Sequence, residues 1–178
     1  YDSSTFHQTV LGGNAQYDYA RSGNPNRTLL EEKLARLEGG KYAFAYASGI
    51  AAITAFLLTL KSDDHVILPD DIYGGTLRLT EQILNRFNIK FTTVNATHPE
   101  EIEQAIQPNT KLIYIETPSN PCFKITDIKA VAHIAKKHDL LLAVDNTFMT
   151  PLGQSPLSLG ADIVVHSATK FLGGHSDI

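Results

Sequence analysis

The chain has 178 residues, enough for roughly one domain of ordinary size. With 43% hydrophobic and 19% charged residues it can bury a real core, and a net charge of −4 without any basic stripe argues against a nucleic-acid partner. No apolar run reaches the ~18 residues a membrane span needs, and the single cysteine, Cys122, rules out an intrachain disulfide and fits a reducing cytoplasm.

The first stretch, to about Asn26, is rich in Gly, Asn, Tyr and Ser and has no sustained period. It reads as an arm, and we expect residues 1–30 to form it. A helix is expected after Asn26, with apolar residues at 30, 34 and 37, stopped by Gly39-Gly40. Tyr42 to Ala47 is a short apolar piece, and Ser48 caps a very apolar helix from Gly49 to Leu60. The pattern then alternates. Strands are expected at 65–69, 89–94, 111–115, 140–144 and 162–165. Helices are expected at 75–86, 99–106 and 127–138, the second with acidic Glu100 and Glu101 in its first turn and the third with basic Lys136 and Lys137 in its last. Short, continuously apolar strands separated by helices indicate an α/β fold, a mostly parallel sheet covered on both faces. Ligands of such sheets lie beyond the carboxyl ends of the strands. That rule selects Asp70 and Asp71, residues 116–120, residues 145–147 and residues 167–170.

Within that set Lys170 is the most informative residue. It follows the apolar stretch Ile163-Val164-Val165 and the hydroxyls Ser167 and Thr169, while Asp145 ends the run Leu140 to Val144. An amine and a carboxylate placed beyond buried strands suit pyridoxal phosphate (PLP), which needs an amine for its aldehyde and an anion for its ring nitrogen. The plain alternatives are a surface lysine and a carboxylate used as a helix cap or ion pair. Desolvation would make the lysine a good Schiff-base nucleophile. Ser48-Gly49-Ile50 opens a helix, where amides and the positive dipole end suit a phosphate, or serve an ordinary cap. Tyr73 in Tyr73-Gly74-Gly75-Thr76 can stack on a flat ring or pack as a loop aromatic. Glu116-Thr117-Pro118-Ser119-Asn120-Pro121 is a stiff loop that can set Asn120 against a ligand, or a mere connection. Arg21, in Tyr19-Ala20-Arg21, can grip a phosphate bidentately or remain solvated. The seven histidines make no metal pattern, and His133 and His138, five apart, do not align on one helix face. Cys122 has no recognisable histidine partner.

Together these motifs resemble the Cys/Met-metabolism (transsulfuration) family of fold-type-I PLP enzymes. The resemblance spans essentially the whole chain. It is carried by Tyr19-x-Arg21-x-Gly23-Asn24-Pro25 with Arg27, Ala47-Ser48-Gly49, Tyr73-Gly74-Gly75-Thr76, Glu116 to Pro121, Val144-Asp145-Asn146-Thr147-Phe148, and Ser167-Ala168-Thr169-Lys170 with Gly173-Gly174-His175. The resemblance implies a three-layer α/β/α large domain over residues 31–178. It implies that Lys170 holds PLP, that Asp145 pairs with the pyridine nitrogen and that Tyr73 stacks on the ring and assists proton transfer. Ser48, Ser167, Thr169 and the amides of Gly49 and Ile50 would cradle the phosphate, and Asn120 would lie near the phenolic oxygen. Tyr19 and Arg21 would reach the phosphate of a neighbouring subunit, making a homodimer or homotetramer with shared sites. Ile50 stands where methionine is common in the family, a change that a backbone contact survives. The implied activity is a cytoplasmic carbon–sulfur lyase of methionine biosynthesis, acting on a small sulfur amino acid. β-Elimination of cystathionine is the first expectation, with γ-elimination or γ-replacement as alternatives and a PLP-binding fragment as the non-enzymatic one. The family runs to about twice this length. We read the chain as a piece of a longer protein that lacks the small C-terminal domain, which carries the arginine for the substrate's α-carboxylate.

Overall fold

A computed structural model describes residues 17, 19–21 and 23–178. Most of the expected arm lies outside the described residues. The described residues fall into two compact units, one ending at Ala45 and the other running Tyr46–Ile178.

In the first unit, helix α1 spans Pro25–Glu38. Its Asn24 cap accepts from the N–H groups of Asn26 and Arg27 through its side chain, and Gly39 closes it in the left-handed conformation. The stripe expected to be buried is not: Leu30 and Leu37 are exposed, and Leu29 beside them as well. The charges interleaved along α1 leave it without a continuous apolar face.

The second unit is built on five parallel strands: β1 (His65–Pro69), β2 (Lys90–Val94), β3 (Thr110–Glu116), β4 (Leu141–Asp145) and β5 (Ile163–Val165). Their order is β2-β1-β3-β4-β5, so the chain reverses direction across the sheet between β1 and β3. Alternate residues serve two cores. Val66, Leu68, Leu112, Tyr114, Ala143 and Val165 face helix α2 (Gly49–Leu57) and helix α3 (Gly74–Arg78). Ile67, Ile113, Ile115, Leu142 and Val144 face helix α4 (Pro99–Gln104) and helix α5 (Ile128–Lys137). The result is the expected α/β/α sandwich, and burial on both faces explains why the strands read as unbroken apolar runs. No helix among the described residues is long and apolar enough to cross a membrane.

Three expectations are corrected. The helix expected over 75–86 is α only to Arg78, then continues as a wide π turn, Leu79–Ile83, and a 3₁₀ turn, Leu84–Phe87. Thr80 donates its hydroxyl to the Leu77 carbonyl at 2.9 Å, a bond that competes with the regular ladder. Helix α2 stops at Leu57 instead of Leu60 and helix α4 at Gln104 instead of Ile106. Two short turns, helix α6 (Thr150–Gly153) and a 3₁₀ turn at Pro156–Leu159, lie where no element was expected.

At the amino ends of the strands, remote from the strands' carboxyl ends, His65 is buried on β1. Its Nδ1 lies 2.7 Å from Thr110 Oγ1 on β3 and its Nε2 lies 2.8 Å from Thr92 Oγ1 on β2. Burial holds the imidazole below its ordinary pKa. The unfolded chain therefore binds a proton near pH 6.5 that the native chain refuses, and stability falls as pH drops through that value. In urea unfolding of the intact protein, the wild type should exceed His65→Gln in stability at pH 7.5 by more than it does at pH 5.5. An advantage independent of pH would show that the imidazole does not titrate between the two states.

Candidate active site

A cavity of about 290 Å³ opens beyond the carboxyl ends of β3, β4 and β5. Its walls come from five segments of the second unit: the start of α2, Tyr73 ahead of α3, and the segments that follow the three strands. Every residue expected in the site from Ser48 onward lines it: Ser48, Gly49, Ile50, Tyr73, Asn120, Asp145, Ser167, Thr169 and Lys170. Tyr19 and Arg21 belong to the first unit, where the Arg21 guanidinium sits 5.0 Å from the centroid of the exposed Tyr19 ring.

The anion-binding part follows from helix geometry. The side chain of Ser48 accepts from the Ala51 N–H, and its carbonyl from the Ala52 N–H. The N–H groups of Gly49 and Ile50 precede the reach of any carbonyl of their own helix, so they are donors in want of an acceptor. Gly49 is required by a close approach: a Cβ there would lie 2.9 Å from Ser167 Cβ and 3.2 Å from Ser167 Oγ. Ser167 is itself held by its N–H, which donates to Thr147 Oγ1 at 2.9 Å. Thr169 donates its hydroxyl to the Ile178 carbonyl. Lys170 lies five residues beyond the end of β5 and is exposed. It borders the cavity.

Asp145 is buried at the end of β4. Its Oδ2 accepts from the Tyr114 phenol at 3.0 Å and its Oδ1 from the Thr147 N–H at 3.0 Å. Burial pushes its pKa up, while the bonds from Thr147 and Tyr114 and the nearby His166 pull it back. The Tyr114 phenol is pushed well up by burial and by Asp145. Tyr73 folds over Gly75 so closely that a Cβ on Gly75 would overlap its ring, which explains the glycine at that place.

Two sets of strand-end acids were selected from the sequence without a role. Glu116 ends β3 in register with Asp145 and lines the same cavity. Burial first, then the Asp145 charge, push it up to about 7. Its position after a buried strand was visible, but its pairing needed the β3–β4 register. Asp70 and Asp71, selected by the strand-end rule, brace the loop instead of lining this cavity. Asp71 accepts from the Ser119 hydroxyl and the Cys122 N–H, and Asp70 pairs with Lys124 at 2.9 Å. This bracing fixes the loop in which the Thr117–Pro118 and Asn120–Pro121 bonds are both cis.

An amine, a buried carboxylate and a helix-end anion cradle around one cavity fit PLP: the unused N–H donors suit its phosphate, and the buried carboxylate suits its ring nitrogen. Fold and site together are those of a PLP-dependent enzyme's cofactor domain. Residues 1–178 match the family model described as Cys/Met metabolism PLP-dependent enzyme. The chain is 87% identical to a cystathionine beta-lyase MetC of Staphylococcus haemolyticus, aligned over all of this chain and 46% of that one. It is 55% identical to a cystathionine gamma-lyase of Bacillus subtilis, over all of this chain and 47% of that one. A crystal structure of cystathionine gamma-lyase from Lactobacillus plantarum complexed with L-serine superposes with a TM-score of 0.92 at 50% identity, covering all of this chain and 46% of that one. The chain belongs to the Cys/Met metabolism family of PLP-dependent enzymes, and it spans about half the length of the curated relatives it matches.

Tyr114→Phe keeps the ring and removes one donor, leaving Asp145 Oδ2 buried without it. We expect the intact protein to lose about 1–3 kcal/mol in urea unfolding. Unchanged stability would mean that the phenol–carboxylate bond contributes nothing net.

Proposed function

We propose that the whole protein is a PLP-dependent carbon–sulfur lyase that converts cystathionine to homocysteine, pyruvate and ammonia by β-elimination. The observation that carries the PLP part is the single cavity shared by Lys170, Asp145 and the first N–H groups of α2. The choice of β-elimination is supported by the 87% identity to a relative named for it. Similarity to relatives named gamma-lyase supports the second reading, γ-elimination.

When bound, PLP supplies an aldehyde for amines and a ring that takes up electron density from the substrate's α-carbon. The chain's own residues divide the rest. Lys170 would hold the cofactor's aldehyde and would then be placed to move the substrate's α-proton as a general base. Asp145, oriented by Tyr114 and Thr147, keeps a proton on the ring nitrogen. Tyr73 covers the ring face and assists proton transfer. Gly49 and Ile50 amides with Ser48, Ser167 and Thr169 hold the phosphate, and Asn120 borders the phenolic oxygen. We assign residues 1–30 to an arm and residues 31–178 to the large domain. Tyr19 and Arg21, on the arm, reach the phosphate of a neighbouring subunit in a homodimer or homotetramer. The exposed Leu29, Leu37, Tyr42 and Phe44 of the same unit suit such an interface. The enzyme works in the cytoplasm, in methionine biosynthesis.

The purified full-length protein should be yellow, and borohydride should fix the cofactor on Lys170. Cystathionine should give pyruvate; 2-oxobutyrate in its place would establish γ-elimination. Lys170→Ala should cut turnover by about 10²–10⁴-fold or more. A wild type that stays colourless after adding PLP would sink the assignment.

A further inference from the structure

The β3–β4 register sets Glu116 directly beside Asp145, and both carboxyl groups are 7% exposed. Two buried carboxyls at adjacent strand ends repel each other and lack water to absorb the charge, so such a pair stays only where other groups need it. Asp145 has its own donors in Tyr114 and Thr147. Glu116 has different ones. Its Oε2 accepts from the Tyr73 N–H at 2.9 Å, and the nearby Asn120 N–H lowers its pKa. These two residues sit on separate loops, one following β1 and one following β3, and both border the cavity. A single side chain therefore ties the Tyr73 turn to the end of β3, with the Asn120 loop beside it. Tyr73 needs this anchor: it caps α3 without a side-chain bond and stands 42% exposed over a glycine.

The charged and titratable groups facing Glu116 come from each surrounding element. Asp145 from β4 and Asp71 from the loop after β1 raise its pKa, the N–H groups of Tyr73 and Asn120 lower it, and burial is the largest influence. Tyr114, two residues back on β3, donates to Asp145, and His166 after β5 acts on Asp145. Lys170 is the cation on the cavity wall.

We propose that Glu116 is a positioning residue of the PLP site: its carboxyl fixes the Tyr73 turn against β3, and its charge is coupled through Asp145 to the proton on the cofactor. The proposal rests on the PLP reading. Two consequences separate its parts. Removing the acceptor frees the Tyr73 turn and weakens cofactor binding. Removing only the charge takes a negative neighbour away from the cofactor's protonated form, which then loses its proton at lower pH.

The test uses full-length holoenzyme and two variants, with PLP affinity and the pH titration of the bound cofactor's visible absorbance as readouts. Glu116→Gln keeps a carbonyl acceptor; it should bind PLP within about threefold of wild type and shift the absorbance midpoint downward. Glu116→Ala should weaken PLP about tenfold or more. An unshifted midpoint in Glu116→Gln overturns the charge coupling, and wild-type affinity in Glu116→Ala overturns the anchoring. Where Glu116→Ala fails to fold by circular dichroism, the Glu116→Gln midpoint decides alone. A wild type that never becomes coloured contradicts the PLP reading itself, which no variant result can imitate.

Discussion

The side-by-side ending of β3 and β4 is the constraint on which the site is built. Five register pairs, from Leu112 with Leu141 to Glu116 with Asp145, run through the buried sheet and stop together. Neither strand can slip by one residue without turning its apolar side chains to the wrong face. The two acids are therefore held together by the core itself, on the side that faces α2 and α3. Burial makes that pairing costly, and the molecule offsets it with donors: a phenol and an N–H for Asp145, the Tyr73 N–H for Glu116. What the donors leave unbalanced is charge. A cation delivered into the cavity relieves it, whereas an uncharged ring would not.

The phosphate side obeys a different logic. It relies on backbone amides and hydroxyls, with no fixed cation among the groups around α2's first turn. The helix end supplies partial positive charge and two free donors, and the close approach of Gly49 to Ser167 brings the loop after β5 against them. Thr147 connects the two sides. Its N–H donates to Asp145 and its hydroxyl accepts from the Ser167 N–H, so one residue relates the carboxylate to the phosphate cradle. A change that displaced Thr147 would misplace both at once.

Much of this was legible before any coordinates. Unbroken apolar runs bounded by helices could only be strands buried on both faces, and the strand-end rule led directly to Asp145, Asn120 and Ser167 to Lys170. Motif order did the rest. What stayed hidden depends on register and on side-chain direction. Asp71 and Glu116 look alike in the sequence, each an acid after a buried strand, yet one braces a loop and the other lines the cavity. The break in the helix after Arg78 was invisible because a π turn has no distinct residue signature. The exposure of Lys170 was not legible either, because the chain leaves β5 at Val165 and has five residues in which to turn outward. Exposed Leu30 and Leu37 mislead for a related reason: spacing marks an apolar position without naming what covers it.

The division of labour within the cavity bears on reaction choice. Removing the α-proton is the first demand of β-elimination and of γ-elimination alike, and under the proposed reading Lys170, Asp145 and Tyr73 would serve that step. None of them is directed at the sulfur-bearing part of a substrate. Relatives named for β- and for γ-lyase activity accordingly share this half of the molecule with the chain. Specificity between the β- and γ-carbons therefore has to come from groups that meet the substrate's side chain and its carboxylate. Differential binding of that kind acts where the two routes would part, beyond the α-proton removal they share.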